Sequence, residues 1–373
     1  MNIGQLVSWS KILFSSQSRY LLFHVTSMCN ARCKHCFYWE SIESKNYTDN
    51  LTLDEIEMFS SYLPQQEIIN LCGAEAFLRH DLADITEIFS RKNKVNIIAI
   101  PSNGILTDQI LKKAQSLLSR FPHIAFRMTI SIDALGDVHD QFRGVQGCFE
   151  KATRTLAQLC ELKKHYKNLL VLTNTTFSAS TQNSILETLS YLVDNFDLDT
   201  ISMTMVRGDP KDPSQRRSLD LKKYREAVQY VTRYGRKGFK AHPLADFIWN
   251  ATCYTRERVA QIVEKTLTHP STRGFTCSPT EDFLVIENNG DIKLCEIIDK
   301  SLGNLRKFNY RLDQILELPE TRKLVEHVKS GADMCNGCTW ECAMRSSIIS
   351  SPMEYPKLGA YVAKQTFSKY LAA

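Results

Sequence analysis

The feature that most constrains this chain is a group of three cysteines near its start, Cys29, Cys33 and Cys36, spaced C-x3-C-x2-C. The group directly follows an apolar run, Leu21 to Val25, that has the length of a buried strand. Three thiolates this close together can bind three irons of a [4Fe–4S] cluster, whose usual complement is four cysteines. The fourth iron is then left open, and an open metal position is typical of a reactive site.

The same three cysteines allow two other interpretations. One is a structural zinc knuckle, and the other is three unrelated buried thiols. Zinc sites prefer a C-x2-C pair combined with a distant second pair. The spacing of the three cysteines therefore favours iron–sulfur binding over zinc. The motifs that follow along the chain strengthen this interpretation.

Length and composition limit the class of protein. At 373 residues the chain exceeds the size at which one core usually keeps growing, so we expect a large domain and a smaller one. The composition, 43% hydrophobic and 23% charged, is that of a soluble globular protein. No apolar run is long enough to span a membrane, and a net charge of +5 is too small to indicate nucleic-acid binding. We expect a cytoplasmic protein without a transmembrane segment.

The first 19 residues lack the cationic start, unbroken apolar block and cleavage site of a signal peptide. We expect a helix packed on the main domain there, with attachment to a membrane surface as the less favoured alternative. Twelve cysteines in a chain without an export signal indicate reduced thiols and metal rather than disulfides. Four are scattered singly and are expected to be small buried hydrophobes: Cys72, Cys148, Cys160 and Cys253.

Six apolar runs of strand length alternate with helical patterns through the first 240 residues. The strands are predicted at Leu21 to Val25, Glu67 to Cys72, Val95 to Ile100, Ile124 to Ile132, Leu169 to Thr175 and Thr200 to Val206. Alternation of this kind predicts an α/β fold with a parallel sheet. Six units fit a partial (β/α)6 TIM-like barrel, whose site lies at the carboxyl ends of the strands. The first helix is predicted from the capping box Thr52-Leu53-Asp54-Glu55.

The cysteine motif and its position after the first strand resemble the radical SAM superfamily. In that family the open iron chelates the amino and carboxylate groups of S-adenosylmethionine, and one electron from the cluster cleaves the sulfonium C–S bond to give a 5′-deoxyadenosyl radical. The resemblance implies the metal ligands Cys29, Cys33 and Cys36. It also implies an electron donor such as flavodoxin or ferredoxin.

Two elements are candidates for binding the amino acid part of S-adenosylmethionine. Gly73 and Glu75 follow the second strand, where a glycine lets the backbone approach a ligand. They match the family's Gly-Gly-Glu-Pro element in part, because Ala74 and Ala76 replace the second glycine and the proline. A Gly-x-Glu sequence alone means little, and it is the position after the second strand that favours a binding role.

The second element is the end of the fourth strand. Ser131 and Asp133, with Arg143 downstream, resemble the family's Ser-x-Asp strand end with an arginine that binds the ligand carboxylate. A surface arginine and an N-cap aspartate are the alternative. Candidate contacts for the ribose, at the ends of the third and fifth strands, are Ser102, Asn103 and Asn174. His35 replaces the aromatic residue often found before the third cysteine, which leaves adenine stacking to Phe37 or Tyr38.

After about residue 240 the βα rhythm stops and five cysteines follow: Cys277, Cys295, Cys335, Cys338 and Cys342. Asn289-Gly290 predicts a hairpin between the first two, because Asn-Gly accepts the positive φ of a tight turn. A helix is predicted from Tyr310 to Val328. The pattern resembles the SPASM/twitch extension of radical SAM enzymes, and implies one auxiliary [4Fe–4S] cluster bound by Cys277, Cys295 and two of the last three cysteines. Three ligands with an open iron, or a structural zinc site, are the alternatives.

The sequence therefore predicts an N-terminal helical extension (1–19), a radical SAM partial barrel (20–240) and a small cysteine-rich α+β auxiliary-cluster domain (241–373). The predicted activity is reductive cleavage of S-adenosylmethionine and hydrogen abstraction from a peptide or protein, giving oxidation or a crosslink. Radical dehydrogenation or rearrangement of a small molecule such as a sugar or alcohol is the alternative, and a non-catalytic metal scaffold is a further one. Because only 28 residues precede Cys29, we expect no fused leader-peptide-binding domain.

Overall fold

A computed structural model of the chain describes residues 20–45, 47–234, 243–271 and 273–371. The helix predicted for residues 1–19 and the predicted domain boundary at 240/241 lie outside these residues. Within them, six parallel strands form one continuous sheet: β1 Tyr20–Thr26, β2 Ile68–Gly73, β3 Ile97–Ser102, β4 Ala125–Ser131, β5 Leu169–Phe177 and β6 Thr200–Met205. Each neighbouring pair is parallel, in chain order.

Helices connect these strands, and most of them cover the outer face of the sheet, as a parallel sheet requires. They are α1 Trp39–Glu43, α2 Leu53–Ser60, α3 Leu82–Asn93, α4 Thr107–Arg120, α5 Gly136–Arg143, α6 Cys148–His165, α7 Ile185–Asn195 and α8 Leu221–Tyr234. The capping box at α2 is present, because Thr52 Oγ1 accepts from Glu55 N while Glu55 Oε2 accepts from Thr52 N. The order of strands and helices confirms the predicted α/β partial barrel. The short helices α1 and α5, which contribute residues to the inner cavity, are additional ones that the sequence patterns did not predict.

Successive side chains on a strand point to opposite faces, so each strand presents one set to the helices and one set to the interior of the curved sheet. On β1, the aromatic ring of Phe23 points outward and packs edge-on against Phe59 of α2 and Phe89 of α3. The inner positions carry polar groups instead, such as Asn70 on β2 and Thr129 on β4. The interior of the sheet is therefore polar at the places where an ordinary barrel core would be filled with branched apolar side chains.

The hairpin predicted after Cys277 is present, and it extends the same sheet. Its strands are β7 Leu284–Ile286 and β8 Asp291–Lys293, followed by β9 Ser301–Asn304. β7 pairs parallel with β1, and β8 and β9 add antiparallel strands, which gives the order β6-β5-β4-β3-β2-β1-β7-β8-β9 in the described part of the chain. Gly290 has φ +89° in the turn, which is the conformation that the Asn-Gly signal predicted.

The remaining helices belong to the C-terminal part of the chain. They are α9 Pro243–Thr268, α10 Leu312–Glu317, α11 Pro319–Lys329, α12 Glu341–Ser350 and α13 Tyr355–Leu371. The prediction of a single helix from Tyr310 to Val328 is wrong, because the helix is interrupted between α10 and α11. Leu318 precedes Pro319 and is extended (ψ 136°), since a residue before proline disfavours the helical conformation.

The late cysteines and their hairpin form a small α+β unit next to the barrel, which agrees with the predicted fold class. No helix among the described residues is both long and apolar enough to cross a membrane.

Candidate active site

A cavity of about 840 Å³ occupies the interior of the curved sheet. The loop after β1 closes one part of it, the inner faces of β2 to β6 form its wall, and the C-terminal helices cover the side that six strands leave open. The predicted residues that line it are Cys29, Cys33, Cys36, Phe37, Tyr38, Gly73, Ser102, Asn103, Ser131, Arg143, Asn174 and Cys342. The fold thus brings together residues from the loop after β1, from the strand ends and from helix α12.

The loop carrying the first three cysteines is fastened to the end of α5. Arg32 N donates to the carbonyl oxygen of Arg143 over 3.0 Å, and Lys34 N donates to that of Phe142 over 2.9 Å. The ring of His35 stacks on Phe142, with centroids 4.5 Å apart. These contacts fix the part of the loop around Cys33 and Cys36 to the end of α5.

The thiols themselves are largely buried and receive N–H donors. Ala31 N donates to Cys29 Sγ over 3.4 Å, and Arg143 Nη1 donates to Cys33 Sγ over 3.7 Å. Burial raises the pKa of all three thiols, to about 11 for Cys29 and about 12 for Cys36. Binding of a metal would therefore release protons from this loop. Three thiols that share one cavity and accept N–H donors fit a three-cysteine iron–sulfur cluster.

Arg143 forms a buried ion pair with Asp133. Its Nε and Nη2 lie 2.7 and 2.6 Å from Asp133 Oδ2, while Thr176 N donates to Asp133 Oδ1 over 2.8 Å. Burial raises the pKa of Asp133, but the Arg143 guanidinium outweighs it and holds that pKa at about 2. Since Arg143 also reaches Cys33, the pair places a fixed positive charge beside the cysteine loop. The predicted contact of Arg143 with a ligand carboxylate stays a prediction.

Glu75 lies behind the cavity wall, with 1% of its surface exposed. Its carboxylate accepts from Ser102 Oγ (2.9 Å), Asn103 N (2.8 Å) and Phe77 N (3.3 Å). Burial raises the pKa of Glu75, and these donors oppose that rise. In this structure the carboxylate organises the end of β3, and its predicted contact with an amino group stays untested.

Gly73 permits the close approach that its position predicts. It has φ +105°, and a Cβ there would lie 2.6 Å from the carbonyl oxygen of Thr26, so another residue would force β1 and β2 apart. Asn103 connects the site to the cysteine loop, because its Nδ2 donates to Asn30 Oδ1 over 2.7 Å. Asn174 bonds to Ser202 and Thr204 on β6.

The two aromatic candidates for adenine stacking have different surroundings. The Phe37 ring lies in the cavity wall beneath the Arg207 guanidinium, 4.8 Å from its centroid. Tyr38 is engaged elsewhere, since its hydroxyl donates to Glu287 Oε2 over 2.6 Å and its ring lies edge-on against His24. The geometry therefore favours Phe37 over Tyr38 as the stacking residue.

A second cavity, of about 310 Å³, lies beside the first and is lined by four of the five late cysteines: Cys277, Cys295, Cys335 and Cys338. Two of the thiols accept backbone donors, from Ile298 N to Cys295 Sγ (3.1 Å) and from Trp340 N to Cys338 Sγ (3.5 Å). Burial raises the pKa of Cys295 to about 12. Four thiols around one cavity, one buried and three half-buried, match the usual complement of a [4Fe–4S] cluster.

Cys342 lies apart from that group. It lies on α12 and lines the main cavity. The charged side chains that act on its thiol include Arg207, Glu296 and Arg345. Of the alternatives left open by the sequence, the structure thus brings Cys335 and Cys338 together with Cys277 and Cys295.

Several cavity residues were not predicted as site residues. Arg127 of β4 and Arg345 of α12 both line the main cavity, and burial together with the nearby charge of Arg345 lowers the pKa of Arg127. A charged residue within the apolar run of β4 is a sequence signal that could have identified Arg127. Arg345 gives no such signal, because it belongs to a helix whose position over the barrel depends on tertiary packing.

Residues 23–192 match the model of the Radical SAM superfamily. This segment is a radical SAM domain, and members of the superfamily use a [4Fe–4S] cluster and S-adenosylmethionine. The prediction of both cofactors is thereby confirmed at the level of the family. The matched segment runs from β1 into α7 and contains Cys29, Cys33 and Cys36.

Curated relatives match part of the chain. GTP 3′,8-cyclase of Alkaliphilus oremlandii is 26% identical over 151 residues, which are 37% of this chain and 45% of the relative. AdoMet-dependent heme synthase of Methanosarcina barkeri is 28% identical over 156 residues, 41% of each chain. The chain thus spans less than half the length of these relatives.

Solved structures match nearly the whole fold. Native anSMEcpe with bound AdoMet and Cp18Cys peptide gives a TM-score of 0.56 at 16% identity, over 95% of this chain and 98% of the other. Streptococcus suis SuiB bound to precursor peptide SuiA gives 0.56 at 14% identity, over 93% and 76%. At this identity the likeness concerns the fold, including its cysteine-rich C-terminal part.

Proposed function

We propose that this protein is a radical SAM enzyme that modifies a peptide or protein, with an auxiliary [4Fe–4S] cluster beside its active site. The observation that carries the proposal is the pairing of two cavities, one with three cysteines of a single loop and one with four cysteines from separate segments. When bound, the cluster and S-adenosylmethionine supply a 5′-deoxyadenosyl radical that abstracts a hydrogen atom from the substrate.

The chain's own residues hold this site in place. Cys29, Cys33 and Cys36 would bind the first cluster and leave one iron for S-adenosylmethionine. Asp133 fixes the Arg143 guanidinium next to Cys33, which offsets part of the negative charge of a thiolate-bound cluster. Asn103 ties the loop to the end of β3. The ends of β4 and β5 present Ser131 and Asn174 as polar contacts for the ribose.

Cys277, Cys295, Cys335 and Cys338 would bind the auxiliary cluster, with no position left for substrate. A fully ligated cluster of this kind would accept or relay an electron rather than anchor a substrate. This favours net oxidation or crosslinking as the reaction. An external donor such as flavodoxin or ferredoxin would supply the first electron.

The fold neighbours support a peptide substrate, since two of them are described with a bound peptide. The competing substrate class is a small anionic molecule. It is favoured by Arg127 and Arg345 in the main cavity and by the nucleotide named for the GTP 3′,8-cyclase relative. A guanidinium pair would bind a carboxylate or phosphate group.

One experiment tests the proposed class of reaction. The protein is reconstituted anaerobically with iron and sulfide, reduced with dithionite and incubated with S-adenosylmethionine, and 5′-deoxyadenosine is measured by mass spectrometry. We expect product from the wild type and from Cys160→Ala, whose thiol lies in helix α6 away from both cavities. Product formation that persists in a Cys33→Ala variant would contradict the assignment of the first cluster.

A second measurement separates the substrate classes. The reaction is run in a mixture of peptides of random sequence and in a mixture of nucleotides and sugar phosphates, and stimulated 5′-deoxyadenosine formation is compared. Stimulation by peptides alone supports peptide modification. Stimulation by phosphorylated small molecules alone, lost in Arg127→Met, would replace it with the small-molecule alternative.

A further inference from the structure

A third group of potential metal ligands lies in the wall of the main cavity, separate from both cysteine groups. It consists of His24, Cys72 and Glu296, whose ligand atoms all lie within 4.8 Å of one another. His24 and Cys72 are direct register partners on the neighbouring strands β1 and β2, so the sheet itself places their side chains side by side. Glu296 joins them from the segment after β8.

The three side chains are almost completely removed from solvent. His24 is 2% exposed, Cys72 7%, and the Glu296 side chain 6%. Polar groups buried to this degree are normally paired, because an unpaired one costs free energy. Among the described residues, however, His24 Nε2 has no hydrogen-bond partner, and it points at Glu296 Oε1 over 3.6 Å.

The other nitrogen of the His24 ring is fixed by a carboxylate. Nδ1 lies 3.1 Å from Glu287 Oε2, and the same oxygen accepts from the Tyr38 hydroxyl over 2.6 Å. Glu287 directly follows β7, whose Ile286 pairs with Phe23 of β1, so this contact is also fixed by the sheet. A carboxylate on one nitrogen with the other nitrogen free is the arrangement that orients metal-binding histidines.

The distances and the donor set suit a transition metal. Ligand atoms around a tetrahedral zinc ion lie about 3.4 Å apart, given zinc–nitrogen and zinc–oxygen bonds of about 2.0–2.2 Å. The 3.6 Å between His24 Nε2 and Glu296 Oε1 is close to this value. One nitrogen, one sulfur and one oxygen form a donor set that zinc-class ions accept, with a fourth position left for an outer ligand.

The charges also balance. With Cys72 ionised, the group carries three negative charges, from Cys72, Glu287 and Glu296. Arg207 supplies one positive charge, since its Nη2 lies 3.0 Å from Glu296 Oε2. A divalent ion makes the sum zero.

We propose that His24, Cys72 and Glu296 bind one divalent transition-metal ion of the zinc class in the wall of the main cavity. Cys72 and Glu296 both line that cavity. The open fourth position therefore faces the space in which a substrate would lie, and would take an oxygen atom of water or of the substrate. The site needs neither cluster and no cleavage of S-adenosylmethionine, so it stands or falls independently of the proposed function.

The test uses the holoenzyme with both cysteine groups loaded with iron. After reconstitution and removal of loose metal by a chelating resin, Zn²⁺ is added in slight excess, the protein is desalted anaerobically, and zinc and iron are counted by mass spectrometry. We expect about one zinc per chain in addition to about eight irons. Zinc-edge X-ray absorption should show one sulfur at about 2.3 Å and nitrogen or oxygen at about 2.0 Å.

Variants locate the ion. Cys72→Ser and Glu296→Gln should lose at least about nine-tenths of the added zinc while keeping the iron count, and Cys160→Ala should keep both. His24→Ala is a more disruptive change, so the two conservative variants are used instead. The iron that they retain shows that their fold is intact. The proposal is overturned by the absence of added zinc, by zinc that survives both variants, or by a sulfur-rich shell, which would place the ion at a cysteine group instead.

Discussion

The two cysteine groups of this protein are built differently. Cys29, Cys33 and Cys36 come from one loop of eight residues, which faces a cavity of about 840 Å³ together with the polar inner faces of the strands. Cys277, Cys295, Cys335 and Cys338 come from three segments and enclose a cavity of about 310 Å³. The first group offers three ligands beside a large cavity, and the second offers four around a small one.

This difference suits the first group to a reactive role and the second group to a supporting one. A cluster with three protein ligands keeps one metal position for a reactant, whereas a cluster with four is closed. Both groups receive backbone N–H donors, at Cys29 in the first group and at Cys295 and Cys338 in the second. The charged side chain of Arg143 also donates to Cys33.

The largest effect should follow from removing one ligand of the open group. In Cys33→Ala we expect iron to fall from about eight to about four per chain, and 5′-deoxyadenosine formation to fall by at least about 10³-fold, since no other described cysteine of that loop can replace the ligand. Iron analysis and mass spectrometry check this. Cys160→Ala is the matched control, and equal losses in the two variants would show that the effect is not specific.

Cys338 and Cys342 are only four residues apart, and their variants test which thiols bind the closed cluster. We expect Cys338→Ala to lose about four irons while cleavage of S-adenosylmethionine continues, and Cys342→Ala to keep about eight. The physical reason is that Cys338 lines the small cavity and Cys342 the large one. Iron counts and EPR spectra of the reduced proteins distinguish them. Loss of iron in Cys342→Ala would place that thiol among the ligands after all.

The buried pair beside the open group should contribute strongly to stability. Asp133→Asn leaves the Arg143 charge without its partner, and loss of one member of a buried pair costs about 3–5 kcal/mol of unfolding free energy. The urea midpoint of the anaerobic protein measures this. Glu161→Gln, which breaks the exposed pair with Lys164, is the control, and we expect a much smaller loss there. Similar small losses in both variants would contradict a supporting role for the pair.

The smallest effect concerns the contact between α2 and the cysteine-rich part. Arg306 binds Glu55, and it holds the pKa of that carboxyl at about 2, below its ordinary 4.5. Because the folded pKa is depressed, the stabilisation is present above pH 4.5 and is lost as the pH falls towards 2. Glu55→Gln should therefore lower stability by about 1 kcal/mol or less near pH 7, with no difference from wild type near pH 2. Thermal unfolding at several pH values checks this, and a difference that grows in acid would reverse the sign.

Local patterns were sufficient for the barrel and for the open group. Strand and helix order followed from apolar periodicity, and Cys29, Cys33 and Cys36 share one cavity because they share one loop. Chain patterns could not show that β7 pairs with β1, or that α12 turns Cys342 away from the four other late cysteines. The pairing of β7 with β1 joins segments more than 200 residues apart. The direction of Cys342 depends on how α12 is oriented over the barrel.

The same limit applies to individual site residues. Glu75 and Arg143 were predicted as contacts for a ligand, yet the structure engages them with Ser102 and Asp133. Cys72 was expected to be a buried hydrophobe, and only the register of β1 and β2 reveals that it lies beside His24. Sequence spacing predicts which end of a strand a residue occupies. It does not predict which neighbour satisfies its polar atoms.

The central claim, an open cluster beside a closed one, is tested most directly by EPR of the reduced protein with and without S-adenosylmethionine. We predict two [4Fe–4S]⁺ signals, of which one changes on addition of S-adenosylmethionine. That signal should be missing in Cys33→Ala, and the unchanged one should be missing in Cys338→Ala. A signal that responds to S-adenosylmethionine but disappears in Cys338→Ala, or no response in either, would contradict the account.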